Sequence, residues 1–318
     1  MAICLPLNAN IMINYIFPNF GVFHLGRYPR GGLKQRYDTM SRINEKLGSR
    51  AFSIVEMPGN FVKKGESERF EFAKWSMLNS RITKSLYAPT KESFLSLRYI
   101  LHTEPCFPPS VPLKWYDDEW LPYFIKHIES ICDTIGRDKL EAIEIHPGLP
   151  QRNQNKIDSL AKATINLVRH FKGTLILLEN RAGGHIVGSS AEIRQLCIAL
   201  KAEEPKIFKT FGIVLDLQQI YKRSVLEKCD FREELGSIPK YAVKGVHIHS
   251  VGKKAGSHQP PTVDDPIDWQ VVKRFTNEVR KRNSRLMVLP EVHTEKALIQ
   301  TLTFCKRYLD LNYSDHKR

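Results

Sequence analysis

Eight short apolar runs, separated by amphipathic stretches, predict a (β/α)8 (TIM) barrel for this chain of 318 residues. The runs recur along nearly the whole sequence, and no internal repeat, low-complexity segment or linker divides it. Buried parallel strands are short apolar runs, whereas covering helices carry an apolar face with a period of three to four residues. We therefore expect a single α/β domain over residues 1–318, with a doubly wound open sheet as the alternative.

The predicted elements alternate in the order that this fold requires. The strands are predicted at residues 20–25, 51–56, 84–88, 141–146, 174–179, 211–216, 243–248 and 286–291. Residues 156–171 predict a helix, because their apolar side chains recur on one face. Residues 266–279 predict another helix, with Asp265 as its N-cap and Pro266 in its first turn.

Two segments fall outside this alternation. Residues 1–19 are apolar but have no basic start, and a proline and several asparagines interrupt them, so we expect an N-terminal extension packed under the barrel and neither a signal peptide nor a membrane span. The Pro-rich stretch 99–116 is expected to be a loop inserted between the third strand and its helix.

The composition points to a polyanionic partner and a reducing compartment. Lys and Arg number 48 against 34 Asp and Glu, which gives a net charge of +14. Such a charge favours polyanions, although a generally Lys-rich surface would produce the same number. The six cysteines contain no C-x-x-C pair, which argues against a disulfide framework and a thiolate zinc site. We expect a cytoplasmic protein.

Ionisable residues stand at the ends of five consecutive predicted strands. They are His146, Glu179, Asp216, His247 and Glu291. The carboxyl ends of barrel strands converge on one face, where three carboxylates and two imidazoles would perturb one another strongly unless a cation neutralised them. Mixed His/Asp/Glu ligation suits Zn²⁺, Mn²⁺ or Fe²⁺. His249 shares the alternation of His247 and is a further candidate.

The loops after these strands carry basic residues. They are Arg27, Arg30, Lys63, Lys64, Arg181, Lys222, Lys253 and Lys254, with Arg223 beside Lys222. Because they would surround the same mouth as the metal ligands, they favour a phosphate-bearing ligand.

Several motifs, in this order, resemble a known family. They are "GVFHLGRYPRGGL" (21–33), "IHPG" (145–148), "LLENRAGG" (177–184), "GIVLDLQQ" (212–219) and "GVHIHSVGKKAGSH" (245–258). Over roughly residues 20–300 the chain distantly resembles endonuclease IV, the zinc-dependent apurinic/apyrimidinic endonucleases (AP endonuclease family 2) of the xylose-isomerase-like TIM barrels.

The resemblance implies roles for the strand-end residues. Glu179 would bridge two metal ions and His146 would bind one of them. The other ion would be bound by Asp216, His247 and Glu291. Glu179 and Glu291 would be the catalytic pair, and DNA the partner.

The chain also departs from the family pattern. His24 corresponds to the histidine of the opening strand, but Tyr87 stands where the family has a histidine on strand three, and His102 is the candidate substitute. Gln219 stands where it has a histidine after strand six, and His258 alone remains of the Asp-x-His in the strand-seven loop. The sequence therefore predicts one or two Zn²⁺ or Mn²⁺ ions and not three.

Three functions remain open at this point. The first is metal-dependent hydrolysis of a DNA phosphodiester, as in an AP-site or related endonuclease. The alternative is a metal-dependent sugar or sugar-phosphate isomerase or epimerase, which needs only the quartet of Glu179, Asp216, His247 and Glu291, with a metal-dependent oxidase as a weaker variant. The third is a barrel that binds nucleic acid without catalysis. The oligomeric state is left open.

Overall fold

A computed structural model describes residues 12–18, 32–59, 98–103, 112–150, 156–251 and 258–312 of the chain. Within these ranges eight parallel strands close into a barrel in sequence order, which confirms the (β/α)8 fold. The strands are β1 Met12–Phe17, β2 Phe52–Pro58, β3 Arg98–His102, β4 Leu140–Ile145, β5 Leu175–Glu179, β6 Phe211–Asp216, β7 Val243–His247 and β8 Arg285–Leu289. The helices are α1 Gly32–Lys46, α2 Trp120–Ile135, α3 Lys156–His170, α4 Ser190–Glu203, α5 Leu217–Glu227, α6 Phe231–Ser237, α7 Trp269–Arg280 and α8 Glu295–Tyr308.

A single layer of apolar side chains fills the barrel interior. Its members are Ile16, Ile54, Ile100, Ala142, Leu177, Val214, Met287 and Leu289, which come from every strand except β7. Strand β7 contributes Gly245, where an added Cβ would lie 3.2 Å from Val214 Cγ2, so a side chain there would be in tight contact with its neighbours. The alternate residues of the strands face outward and pack with the helices into the main core. This apolar layer, called the apolar floor below, lies directly beneath the candidate site.

The first strand does not lie where the sequence predicts it. Met12–Phe17 forms β1 and pairs with both β2 and β8, so residues 12–17 belong to the barrel and not to an extension under it. Residues 20–25 lie outside the described residues. Asn14 shares the interior face of the strand with Ile16, and its buried Nδ2 makes no hydrogen bond among the described residues, while Ile13, Tyr15 and Phe17 face the helices.

The third strand is also displaced. Arg98–His102 pairs with β2 on one side and with β4 on the other, so no other segment intervenes there. The predicted strand 84–88 lies outside the described residues, and the start of the predicted loop 99–116 is a strand. The prolines that indicated a loop begin only at Pro105, beyond the short buried run Tyr99–Leu101.

The later elements lie close to their predicted positions, with one change of cap. Helix α7 begins at Trp269, and the side chain of Asp268, not of Asp265, accepts hydrogen bonds from the amides of its first turn. Asp265 instead accepts from Trp269 Nε1 and Ser250 Oγ. Among the described residues, no helix is both long and apolar enough to cross a membrane.

Candidate metal centre at the carboxyl ends of the strands

Six strands each place one ionisable residue directly above the apolar floor, and a seventh such residue, Glu291, lies just past the end of β8. Two positions beyond the floor residue of β2 to β8 come Glu56, His102, Glu144, Glu179, Asp216, His247 and Glu291. Side chains two apart on a strand share a face, so these seven project to the barrel axis together. Five of them are at most 7% exposed. Isolated charges at such burial are costly, so the group must be mutually paired or bound to cations.

The first cluster consists of His102, His146 and Glu179. The Nε2 atoms of both histidines lie 3.2 Å from the same oxygen, Glu179 Oε2. The two imidazole rings stack at a centroid distance of 5.2 Å. One ligand atom from each of the three residues lies within 4.8 Å of the other two, a spacing that could hold a metal ion.

The second cluster consists of Asp216, His247, His249, His258 and Glu291. Glu291 Oε2 lies 3.4 Å from His247 Nδ1 and 3.3 Å from His249 Nε2, and Glu291 Oε1 lies 3.5 Å from His258 Nδ1. His249 Nε2 also lies 3.3 Å from Asp216 Oδ1. Two overlapping triads within this group could each hold a metal ion: Asp216, His247 and Glu291, or His249, His258 and Glu291.

Glu179 and Glu144 join the two clusters. Glu179 Oε2 lies 3.9 Å from His247 Nδ1, and Glu144 Oε1 lies 2.9 Å from His247 Nε2. Glu144, Glu179 and His247 form a further group with metal-binding spacing. The clusters are therefore adjacent parts of one centre.

The backbone around β5 and β6 fixes Asp216. Asn180 follows Glu179, and its side-chain amide accepts from the Asp216 N–H at 2.9 Å and donates to the Asp216 carbonyl at 3.3 Å. Asp216 is also the N-cap of α5, with Oδ1 accepting from the amides of Gln218 and Gln219. These hydrogen bonds fix the position of the Asp216 carboxylate independently of any ligand.

Electrostatics favour the ionised forms of Glu179 and Glu291. Burial would raise the pKa of Glu179, but the charges of His146 and His247 and hydrogen bonds from His102 and His146 hold that pKa well below its usual range. Burial lowers the pKa of His102, but Glu144, Glu179 and Glu56 outweigh it and raise that pKa well above its usual value. Positive charge, from protons or from metal ions, is thus strongly favoured here.

The donor atoms suit a divalent metal. Six buried atoms of the centre satisfy no hydrogen bond among the described residues: Glu144 Oε1, His146 Nδ1, both ring nitrogens of His247, His249 Nε2 and Glu291 Oε2. Buried polar atoms without partners cost about 1–3 kcal/mol each, and a metal ion would use such lone pairs. Imidazole nitrogens with carboxylate oxygens are a ligand set for Zn²⁺ or Mn²⁺.

The structure thus brings together every metal-ligand candidate of the sequence analysis. His102 enters directly, as the last residue of β3, because the strand lies later in the chain than predicted. Gln219 is not brought into the clusters; its side-chain oxygen accepts from the Ala182 N–H at 3.1 Å. Outside the described residues lie the remaining candidates His24, Arg27, Arg30, Lys63, Lys64, Tyr87, Lys253 and Lys254.

Two members of the centre were missed by sequence reasoning, Glu56 and Glu144. Glu56 lies in a strand before β4, and Glu144 lies two residues before the strand-end candidate His146. The sequence "IEIH" did contain a signal for Glu144: it lies two residues before His146, so both side chains point to the same face of the strand.

A cavity of about 730 Å³ opens between helix α5 and the loops after β5 and β7. Arg181, His185, Gln219, Tyr221 and Lys222 are among its lining residues. Burial, and then the charge of Arg181, lower the pKa of His185 to about 4, so His185 is neutral near pH 7. The positive charge of the cavity therefore comes from Arg181 and Lys222. Arg223 instead pairs with Glu192 and Glu227.

Fold and site together define a (β/α)8 barrel with a histidine–carboxylate centre of metal-binding character. No family model and no curated protein matches the sequence. Solved structures do match. A D-tagatose 3-epimerase-like protein has 12% identity and a TM-score of 0.57, over 94% of this chain and 97% of that one.

Two further structures match over similar lengths. D-allulose 3-epimerase from Methylomonas sp. has 12% identity and a TM-score of 0.55, over 94% of this chain and 98% of that one. Endonuclease IV from Thermus thermophilus has 12% identity and a TM-score of 0.51, over 94% of this chain and 100% of that one. At such identities the likeness shows the shared (β/α)8 barrel fold.

Proposed function

We propose that this chain is a metal-dependent phosphodiesterase that acts on DNA, as an AP-site or related endonuclease. The observation that carries the proposal is the first cluster, His102 and His146 on Glu179. A one-metal sugar enzyme needs only Glu179, Asp216, His247 and Glu291. The additional nitrogen ligands, adjacent to that quartet and sharing Glu179 with it, support a second ion, and paired ions are common in phosphodiester hydrolysis.

The residues of the centre would bind the metal ions and orient the attacking water molecule. His102, His146 and Glu179 would hold one ion, and Asp216, His247 and Glu291 the other. When bound, Zn²⁺ or Mn²⁺ supplies Lewis-acid stabilisation of charge on the phosphate oxygens and lowers the pKa of water. Glu179 and Glu291 have lowered pKa values, so both are ionised at neutral pH and can accept hydrogen bonds from an attacking water molecule.

Arg181 and Lys222 are proposed to bind the backbone phosphates. Arg181 follows Glu179 by two residues and lines the cavity between helix α5 and the loops after β5 and β7. Lys222 Nζ donates to Gln218 Oε1 at 3.0 Å, and Gln218 Nε2 donates to the Ser250 carbonyl, so the ammonium is oriented. A bidentate guanidinium and an oriented ammonium beside metal ligands suit a phosphodiester. The net charge of +14 would add long-range attraction to DNA.

Substitution of either cation should weaken DNA binding in a salt-dependent way. For Lys222→Ala or Arg181→Ala we expect KM for duplex DNA to rise several-fold with kcat little changed, and the slope of log Kobs against log salt to fall by about 0.9 per lost phosphate contact. Binding measured across salt concentrations gives the slope. Lys201→Ala, in the last turn of α4 at the other end of the barrel, is the matched control and should leave the slope unchanged.

A second candidate, a sugar or sugar-phosphate isomerase or epimerase, is supported by one observation. Asp216, His247 and Glu291 have metal-binding spacing, and Glu179 Oε2 lies 3.9 Å from His247 Nδ1. Two glutamates beside a single ion could exchange a proton with a substrate carbon. The absence of a histidine at Gln219 affects both candidates equally.

A direct comparison of substrates tests the proposal. Purified protein, supplied with Zn²⁺ or Mn²⁺, is assayed on a duplex containing one abasic site, on the undamaged duplex, and on ketohexoses and their phosphates. We expect metal-dependent nicking of the abasic duplex. Epimerisation without nicking would establish the second candidate in its place, and DNA binding without turnover of either substrate would support the non-catalytic barrel.

A further inference from the structure

Glu56 stands on the outer side of the first cluster. It follows Ile54 of the apolar floor on the interior face of β2, and it is 7% exposed. In the register of β2 and β3, Glu56 is opposite Ile100, so His102 lies two residues further along the neighbouring strand. A carboxylate this deep needs a partner.

The His102 ring lies between Glu56 and Glu179. His102 Nδ1 is 2.7 Å from Glu56 Oε1, a hydrogen bond, and His102 Nε2 is 3.2 Å from Glu179 Oε2. The two ring nitrogens therefore have different surroundings, because only Nε2 faces the first cluster.

The backbone of His102 is also fixed. The Gly59 N–H donates to the His102 carbonyl at 2.6 Å, and His127 Nε2 is hydrogen-bonded to the Gly59 carbonyl. Burial lowers the pKa of His127 to about 4, so this buried histidine is neutral and Nε2 carries the donated proton. Helix α2 thereby holds the end of β3, and Glu56 contacts the ring nitrogen on the far side from the cluster.

Glu56 and Glu144 differ in the side of the ring they occupy. Glu144 Oε1 is 3.7 Å from His102 Nε2, on the side that faces the other ligands. Glu56 contacts the opposite nitrogen. A carboxylate behind the far nitrogen of a ligating histidine fixes its tautomer and raises its basicity as a ligand.

We propose that Glu56 is a positioning residue for the metal centre: it accepts the Nδ1–H of His102 and so presents the Nε2 lone pair to an ion shared with His146 and Glu179. The inference rests on the metal centre of the proposed function and not on the identity of the substrate. By contrast, His146 Nδ1 satisfies no hydrogen bond among the described residues, so of these two histidines only His102 is oriented in this way.

A double-mutant cycle read by metal binding tests this role. Co²⁺ is titrated into wild type, Glu56→Gln, His102→Ala and the double variant, and its visible absorption reports affinity and coordination. We expect Glu56→Gln to weaken the ion bound at the first cluster by about 10–100-fold and to alter its absorption band. In the His102→Ala background, Glu56→Gln should have no further effect.

Controls separate positioning from general destabilisation. Glu203→Gln, on the exposed last turn of α4, should bind Co²⁺ as wild type does. Glu56→Asp keeps the carboxylate and should restore part of the affinity; it also replaces Glu56→Gln if that variant does not fold. Equal losses in both backgrounds, or no loss in either, would overturn the role of Glu56 while leaving the proposed function standing. A wild-type chain that binds no Co²⁺ would contradict the metal centre itself, and binding with the expected cycle but no DNA nicking would contradict only the proposed function.

Discussion

Glu179→Gln is expected to lower the metal-dependent activity by about 10³-fold or more and to reduce the bound metal. Glu179 Oε2 is the common neighbour of His102 Nε2 and His146 Nε2, both at 3.2 Å, and it lies 3.9 Å from His247 Nδ1. The amide keeps the size of the side chain but removes the charge that both ions would share. Elemental mass spectrometry on protein purified without chelator gives metal per chain, and nicking of the abasic duplex gives activity.

The matched control for this variant is Glu203→Gln, an exposed carboxylate far from the mouth of the barrel. It should keep wild-type metal content and activity. Full metal content in Glu179→Gln would show that the residue is not a ligand. One to two equivalents in wild type, with loss in the variant only, is the expected pattern.

Removal of the metal is expected to destabilise the fold, and increasingly so as pH rises. An ion present at about 1,000 times its Kd stabilises the native state by about 4 kcal/mol, which for a chain of this size is a shift in Tm on the order of 5–10 °C. Burial lowers the pKa of His249, but Asp216 and Glu291 outweigh it and raise that pKa to about 10 in the metal-free protein.

The sign follows from that pKa. The contribution of protonated His249 to stability is fully present below about pH 6.5, the unfolded value, and is lost as pH rises toward 10. Metal binding instead strengthens with pH, because ligands must be deprotonated. Thermal unfolding with Zn²⁺ and with chelator should therefore diverge between about pH 6 and 9. Glu179→Gln is the control, with a reduced response to chelator, and curves that converge with rising pH would contradict a metal at these histidines.

The sequence predicts the second half of the barrel well because patterning there is simple. Strands β5, β6 and β8 are mainly apolar runs that end at or shortly before an ionisable residue, whereas β4 and β7 also carry charged residues. Each of these five strands lies within two residues of its predicted bounds. At those ends, His146, Glu179, Asp216 and His247 had to meet once the barrel closed. The proximity of these strand-end residues therefore follows from the barrel topology alone.

The first half was harder because its cues conflict. Asn14 in β1 is buried in the barrel interior, where polar residues are not expected, and β3 offers only the three buried residues Tyr99–Leu101 ahead of a Pro-rich stretch. Because the third strand was predicted at residues 84–88, the sequence did not predict that His102 ends a barrel strand. Single-strand cues existed for the two acids that were missed, because Glu56 ends the predicted strand 51–56 and Glu144 alternates with His146. What one strand cannot show is which of its neighbours' side chains such an acid contacts, since the register of the paired strands decides that.

The apolar floor has a consequence for the order of events in folding. Seven ionisable residues of the centre stand two positions beyond a floor residue; six lie in β2 to β7, and Glu291 lies just past the end of β8. A slip of one residue in any of these strands would turn its ligand toward the helices. The full ligand set thus requires strands β2 to β8 to be in their native registers. A metal ion that needs the full set would therefore bind only to a barrel whose strands β2 to β8 are already aligned, and its binding would report that alignment.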